Sequence, residues 1–327
     1  MSIQLQSSMI AAQAYRLPTS GPMVQNQPAS AQLPSINQMP YRPEPSWNPQ
    51  VAGLMIQQGQ GQAANSVSFD AQVRGQDAKA IDLELMQISN AVYDPSVQSV
   101  GNWTRVSDAD LTAAGIDPAT LENPDTGFRA GIYTDGDGNH VLAFAGSNER
   151  QDWTGANLRQ GLGWEAEQYD EAVQLAQLAA GEYGDDLVIT GHSLGGGLAA
   201  TASLVTGNAA VTFNASGVHD NTMSTHNLDV DAAKAEAADG LIRRYNVDGD
   251  PLTTAQQDTW GLNHLLPDAP GHEITLDSPY PPLEGPGFTL NPLEHGKHAK
   301  ARADRAVELH SQQGMLDALT AQRPWDS

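Results

Sequence analysis

Residues 186–200, Asp-Leu-Val-Ile-Thr-Gly-His-Ser-Leu-Gly-Gly-Gly-Leu-Ala-Ala, constrain the fold more than any other segment of this 327-residue chain. Leu187, Val188 and Ile189 form an apolar run bounded by turn residues, as a central parallel strand covered on both faces requires. From Leu198 to Val205 the sequence is rich in Ala and Leu and reads as a helix. Between them, Gly191-His192-Ser193-Leu194-Gly195 must convert strand into helix within a few residues. A serine at the apex of so tight a turn sits in a strained backbone conformation, with its neighbours two positions away pressed against it. Gly191 and Gly195 suit those places because a Cβ would clash there. The turn lifts the Ser193 hydroxyl above the sheet, beside the unpaired N–H groups and positive dipole end of the next helix.

G-x-S-x-G in this strand-turn-helix setting is a nucleophile elbow, formed here by Gly191, His192 and Gly195 around Ser193. Acyl chemistry at Ser193 needs two oxyanion donors, one after the nucleophile and one from a loop near an earlier strand. Leu194 N–H is the first candidate. For the second, a strand over Val141–Phe144 runs into Ala145-Gly146-Ser147-Asn148, followed by Asp152-Trp153, and Ser147 is the candidate through its N–H and hydroxyl.

The bulk composition sets limits. Hydrophobic residues make up 39% of the chain, enough for a large core, the absence of cysteine excludes a disulfide framework and thiolate chemistry, and the net charge is −23. Such charge argues against nucleic acid, or an anionic membrane held by charge, as a partner, so any transient membrane contact must be mainly apolar. No stretch approaches the length of a membrane span, and no basic start with an apolar block marks a secretory signal. Residues 1–66 are dominated by Gln, Ser, Pro, Ala and Asn, with the first acid at Glu44, and read as a disordered leader. That composition resembles the export signals of bacterial effectors sent through specialised secretion machines, and equally an ordinary flexible tail.

Order is expected from about Phe69, so that 67–327 form the folded domain. Ile81, Leu85, Ile88 and Val92 fall at helical spacing up to Tyr93-Asp94-Pro95. Trp103–Val106, Phe128–Tyr133 and Val141–Phe144 read as strands, the last two joined by Asp135-Gly-Asp-Gly-Asn139. This loop opens like a calcium loop but has Gly146 where the twelfth-position Glu belongs, so a hairpin turn is expected. A helix over 164–182 before the elbow, and strands over 209–213 and 241–247 with a short helix over 231–238 after it, alternate in the pattern of a parallel α/β sheet. Trp164 and Tyr169 on the long helix are read as core.

In α/β-hydrolases the acid and then the histidine follow the serine, and catalytic groups gather at the carboxyl ends of strands. Asp250 meets both conditions, with Asp248 two residues away, and the flanking Gly249 and Pro251 favour Asp250 because they fix a tight turn. Among the later histidines, His272 opens an expected strand over 273–276. His264 lies in an apolar loop, Trp260–Leu266, read as a lid or acyl-contacting segment. His295, His298 and His310 remain, and residue patterns alone do not choose between them. His295-x-x-His298 has no third ligand fixed by spacing, so no metal site is read there and no cofactor is called for.

The chain resembles the class 3 lipase group of α/β-hydrolases, in particular its bacterial phospholipase-like members. The resemblance rests on Val141-Leu-Ala-Phe-Ala-Gly-Ser147, Asp152-Trp153, Asn157, Val188-Ile-Thr-Gly-His-Ser-Leu-Gly-Gly196, Val211-Thr-Phe-Asn214 and Gly249-Asp-Pro-Leu252, and spans about 80–320. It implies an α/β-hydrolase with a mostly parallel central sheet flanked by helices, preceded by the disordered N-terminal segment. It further implies a Ser193–Asp250–His310 triad, with Ser147 completing the oxyanion hole. His310 matches a family histidine that tends to open the last helix, with His295 in reserve across a polar, insertion-like segment, 296–307. Hydrolysis of lipid carboxylic esters is then expected. A soluble esterase or peptidase on the same fold, or an inactive hydrolase-like binding protein, are the rivals. By analogy alone, an exported lipase of this kind implies an immunity protein or chaperone as partner.

Overall fold

The structure, a computed structural model, describes residues 67–146, 165–257, 267–283 and 292–327. The leader over 1–66, Ser147 and the motif residues up to Trp164, and the 260–266 segment lie outside the described residues.

Two largely buried strands build the hairpin at the middle of the sheet. β4 (Phe128–Thr134) and β5 (His140–Phe144) pair antiparallel, from Ala130 opposite Phe144 to Thr134 opposite His140. Their turn is closed by Asp135, whose Oδ1 accepts from the N–H groups of Asp137 (2.9 Å) and Asn139 (3.2 Å) and whose Oδ2 accepts from Asn139 Nδ2 (2.6 Å). Both oxygens of this carboxylate hold the turn, which is the hairpin expected from sequence rather than a calcium loop.

From β5 the sheet runs parallel through β6 (Leu187–His192), β7 (Ala210–Phe213), β8 (Ile242–Val247) and β9 (His272–Leu276). On the other side β4 pairs antiparallel with β2 (Trp103–Arg105) and β3 (Glu122–Asn123), and β2 with β1 (Ser99–Val100). The parallel half carries the site, and an antiparallel half extends one edge.

Every residue of β6 is buried, and its alternation feeds two cores. Leu187 and Ile189, with Leu142 and Phe144 of β5, pack under α4 (Glu165–Tyr183) and α5 (Leu194–Thr206). Val188, with Val141, Ala143, Val211 and Phe213, packs under α1 (Phe69–Val73), α2 (Ile81–Ala91) and α10 (Gln312–Gln322). Continuous apolar strands are what a sheet covered on both faces demands. Tyr169 of α4 is buried in the first of these cores.

α2 is fixed to the sheet by a buried ion pair. Asp82, fully buried, accepts from Arg243 Nη2 (2.6 Å) and Nε (2.9 Å) of β8 and from the Tyr245 hydroxyl (2.6 Å). Arg243 Nη1 also reaches the carbonyls of Val73 (2.9 Å) and Gly75 (2.7 Å), so every charged atom of the pair is hydrogen-bonded, as burial of charge requires. The helix expected over 231–238 is α7 (Val230–Glu236), after the short α6 (Asp220–Thr225) and before a wide turn into β8. The chain ends in α8 (Pro251–Gln257), β9, α9 (Pro292–His310) and α10, with α3 (Asp108–Ala113) packed near the antiparallel edge.

Candidate active site

The strand-to-helix turn after β6 places Ser193 at φ 60°, ψ −126°, a backbone conformation rare for a residue with a side chain. A Cβ on Gly191 would strike the Gly195 carbonyl, and one on Gly195 would strike the Phe144 carbonyl of β5. The turn is therefore pressed against its own start and against the neighbouring strand. Ser193 N–H donates to Phe213 O (3.1 Å), while Ser193 O accepts from Gly196 N (2.9 Å) and Ser216 N (2.9 Å). With its backbone locked between β6 and β7, the half-buried serine presents its hydroxyl at the carboxyl end of the sheet.

Asp250 stands three residues beyond the end of β8 and is fully buried. Its Oδ2 accepts from Thr253 N–H (2.8 Å) and the Thr253 hydroxyl (3.0 Å), and its Oδ1 meets His310 Nδ1 at 2.7 Å. His310 Nε2 lies 2.9 Å from Ser193 Oγ. A carboxylate only accepts, so Nδ1 carries the ring proton and Nε2 offers its lone pair to the serine hydroxyl. Asp248, by contrast, is exposed, and its N–H is used to bind Leu276 O (2.8 Å).

His310 is the last residue of α9, and Ser311 caps the start of α10, so the ring projects from a break between two helices. His295, on the same helix, is exposed and sits 15 residues from that break, roughly 22 Å along a helix rising about 1.5 Å per residue. His272 opens β9 at the end of the sheet opposite Ser193, and His298 is half-buried on α9. His264 and Ser147 fall outside the described residues. Among the described residues no cluster of three or more metal-ligating side chains occurs.

Leu194 opens α5, so its N–H precedes the first intrahelical bond. It approaches within 3.3 Å of where a Cβ on Gly146 would stand, which puts the residue before Ser147 beside it.

One residue with no motif signal is central to this arrangement. The Tyr93 hydroxyl accepts from Gly146 N–H (2.7 Å), donates to His192 O (3.3 Å) and bonds the Gln312 side chain. It thus joins the loop after β5, the elbow and α10, and burial pushes its pKa up to about 12, so it stays a neutral donor. Its only signal in sequence was a large aromatic at a helix end before Asp94-Pro95.

A family model described as a Tle-like phospholipase domain matches residues 84–274. The extracellular phospholipase A1 of Serratia liquefaciens is 42% identical over 254 residues, covering 78% of this chain and 75% of its own length. Among solved structures, a fungal lipase aligns at 18% identity over 73% of this chain and 94% of its own, with a TM-score of 0.40. A mutant form of MDLA from Penicillium cyclopium aligns at 17% identity over 62% and 78%, with a TM-score of 0.35. On the family match and the bacterial relative, the chain belongs to the Tle-like phospholipase family and is a carboxylic ester hydrolase.

Proposed function

We propose that this protein hydrolyses an acyl ester of a glycerophospholipid through Ser193, His310 and Asp250. Ser193 Oγ attacks the ester carbonyl carbon as His310 Nε2 takes its proton. His310 then protonates the leaving alcohol, and water repeats the sequence on the acyl-enzyme. Asp250 holds the tautomer and stabilises the imidazolium, while Leu194 N–H and Ser147 receive the oxyanion. Losing one such donor typically raises the barrier by roughly 3 kcal/mol. The observation that carries this reading is the unbroken hydrogen-bonded path from Ser193 Oγ through both ring nitrogens of His310 to a fully buried carboxylate.

Cleavage at the sn-1 position is the positional choice, supported by the relative named as a phospholipase A1. The same relative, named as extracellular, supports export, for which residues 1–66 are the proposed signal. The test is fatty-acid release from phosphatidylcholine vesicles carrying distinct sn-1 and sn-2 chains, with Ser193→Ala as control. Release of the sn-1 chain by the parent alone is expected. Release by Ser193→Ala at the parent rate would remove Ser193 from the chemistry, and hydrolysis of short soluble esters only would make this an esterase.

A further inference from the structure

We infer that His192 and Asn214 are positioning residues for the proposed general base, acting as a pair of side-chain caps on the last two carbonyls of α9. The inference rests on the reading of Ser193, His310 and Asp250 given above.

A helix that stops leaves its final carbonyls without intrahelical partners. In α9 those include Leu309 and His310, both buried, so water cannot serve them. Asn214 Nδ2 donates to Leu309 O at 3.1 Å, and His192 Nε2 lies 2.7 Å from His310 O. A carbonyl only accepts, so His192 carries its proton on Nε2.

Both donors are anchored in the parts of the sheet that carry the rest of the site. His192 is the last residue of β6 and immediately precedes Ser193. Asn214 follows β7, and its Oδ1 accepts from Val247 N (3.0 Å), three residues before Asp250. Its own N–H donates to Tyr245 O (2.8 Å). One amide therefore ties the helix bearing the base to the strand that leads to the acid, and one imidazole ties it to the nucleophile's neighbour. A base carried on a helix is thereby registered against two groups carried on strands. Near-attack geometry tolerates little displacement, so such registration acts on the rate rather than on substrate binding.

The chemistry of His192 suits this task. Its Nδ1 is buried with no hydrogen-bond partner among the described residues, and burial drives its pKa down to about 3. The ring stays neutral, keeps donating, and adds no positive charge 5.1 Å from the ring that must become imidazolium.

The test compares His192→Leu, which removes the donor, with His192→Gln, whose amide can donate from a similar place, and with Asn214→Asp, which keeps the acceptor and removes the donor. The readouts are the rate of Ser193 labelling by a fluorophosphonate, kcat and KM on a short 4-nitrophenyl ester, and thermal unfolding of each variant. His192→Leu is expected to lower kcat and the labelling rate by about 10- to 100-fold with KM unchanged, and His192→Gln to recover most of that loss. Asn214→Asp should lie between them. In a His310→Ala background, His192→Leu should have no further effect on residual labelling, because it acts through His310. An undiminished rate in His192→Leu, failure of Gln to rescue, or an equal loss in the His310→Ala background would overturn the inference. Full labelling in His310→Ala alone would instead overturn the assignment of the base.

Discussion

Replacing Asp250 by Asn changes one atom and should silence the site through its hydrogen-bond directions. The carboxylate now accepts from Thr253 N–H at 2.8 Å on one oxygen and faces His310 Nδ1 at 2.7 Å with the other. An amide has a single acceptor oxygen, so in either orientation its NH2 faces a donor. If it faces Thr253, a main-chain N–H is left opposed and buried with no remedy. If it faces His310, the ring relieves the conflict by moving its proton from Nδ1 to Nε2. The second arrangement costs less, and it points an N–H at Ser193 Oγ, 2.9 Å away, where a lone pair is needed. Loss of the correct tautomer in a serine triad costs about 10⁴ in kcat, or about 5 kcal/mol of barrier. Ester hydrolysis and fluorophosphonate labelling should both collapse, with KM and thermal unfolding close to those of the parent. Asp248→Asn, at an exposed carboxylate two residues away, serves as the control and should be nearly silent. Activity of Asp250→Asn within about tenfold of the parent, with loss in Asp248→Asn instead, would refute the reasoning.

Tyr93→Phe removes the hydroxyl that joins Gly146 and His192 and should lower kcat by about tenfold, the worth of one hydrogen bond; unchanged initial rates would dismiss that role. Because the folded-state pKa of His192 is depressed to about 3, its contribution to stability is whole above its ordinary value near 6.5 and declines as pH falls toward 3. By pH 4 the loss should be about 3 kcal/mol, and urea unfolding at pH 7 and pH 4 should show His192→Gln losing less than the parent by that amount. Asp82→Asn leaves Arg243 buried without its charge partner and should cost about 3–5 kcal/mol, read as a fall in Tm, with the turnover of the folded fraction at 25 °C unchanged.

How much of this was legible in the sequence depended on how local the governing physics is. The elbow is set by sterics within five residues, so Gly191 and Gly195 announce it directly. The sheet followed from apolar runs alternating with helical stretches, although the two-residue strands β1 and β3 of its antiparallel half are too short to carry a pattern. Asp250 could be singled out from Asp248 because a turn with Gly249 at φ 80° commits one carboxylate inward and leaves the other in solvent. The proximity of His310 to Ser193 had no such signature. It depends on where α9 stops, and the polar run over 296–307 that looks like an insertion is that helix's mostly exposed length. Tyr93 was illegible for the opposite reason: its three partners come from segments about 50, 100 and 220 positions away in the chain.

The same residue type at the same kind of position serves two ends in this chain, and backbone conformation decides which. Ser311 precedes α10 at φ −66°, ψ 152°, the extended geometry of an ordinary N-cap, and its hydroxyl oxygen accepts from Gly314 N–H at 3.0 Å. Ser193 precedes α5 in the equivalent place, yet at φ 60° its side chain makes no capping bond. Serine is among the preferred residues there because that bond stabilises a helix by about 1 kcal/mol. Holding a positive φ costs on the order of 1–3 kcal/mol besides. Both costs are met by main-chain bonds from Ser193 to Phe213, Gly196 and Ser216, none of which uses the hydroxyl. A serine in the relaxed cap conformation would turn its oxygen toward the helix N–H groups and away from His310. The strain at the elbow is therefore what takes the hydroxyl out of structural service and leaves it facing His310.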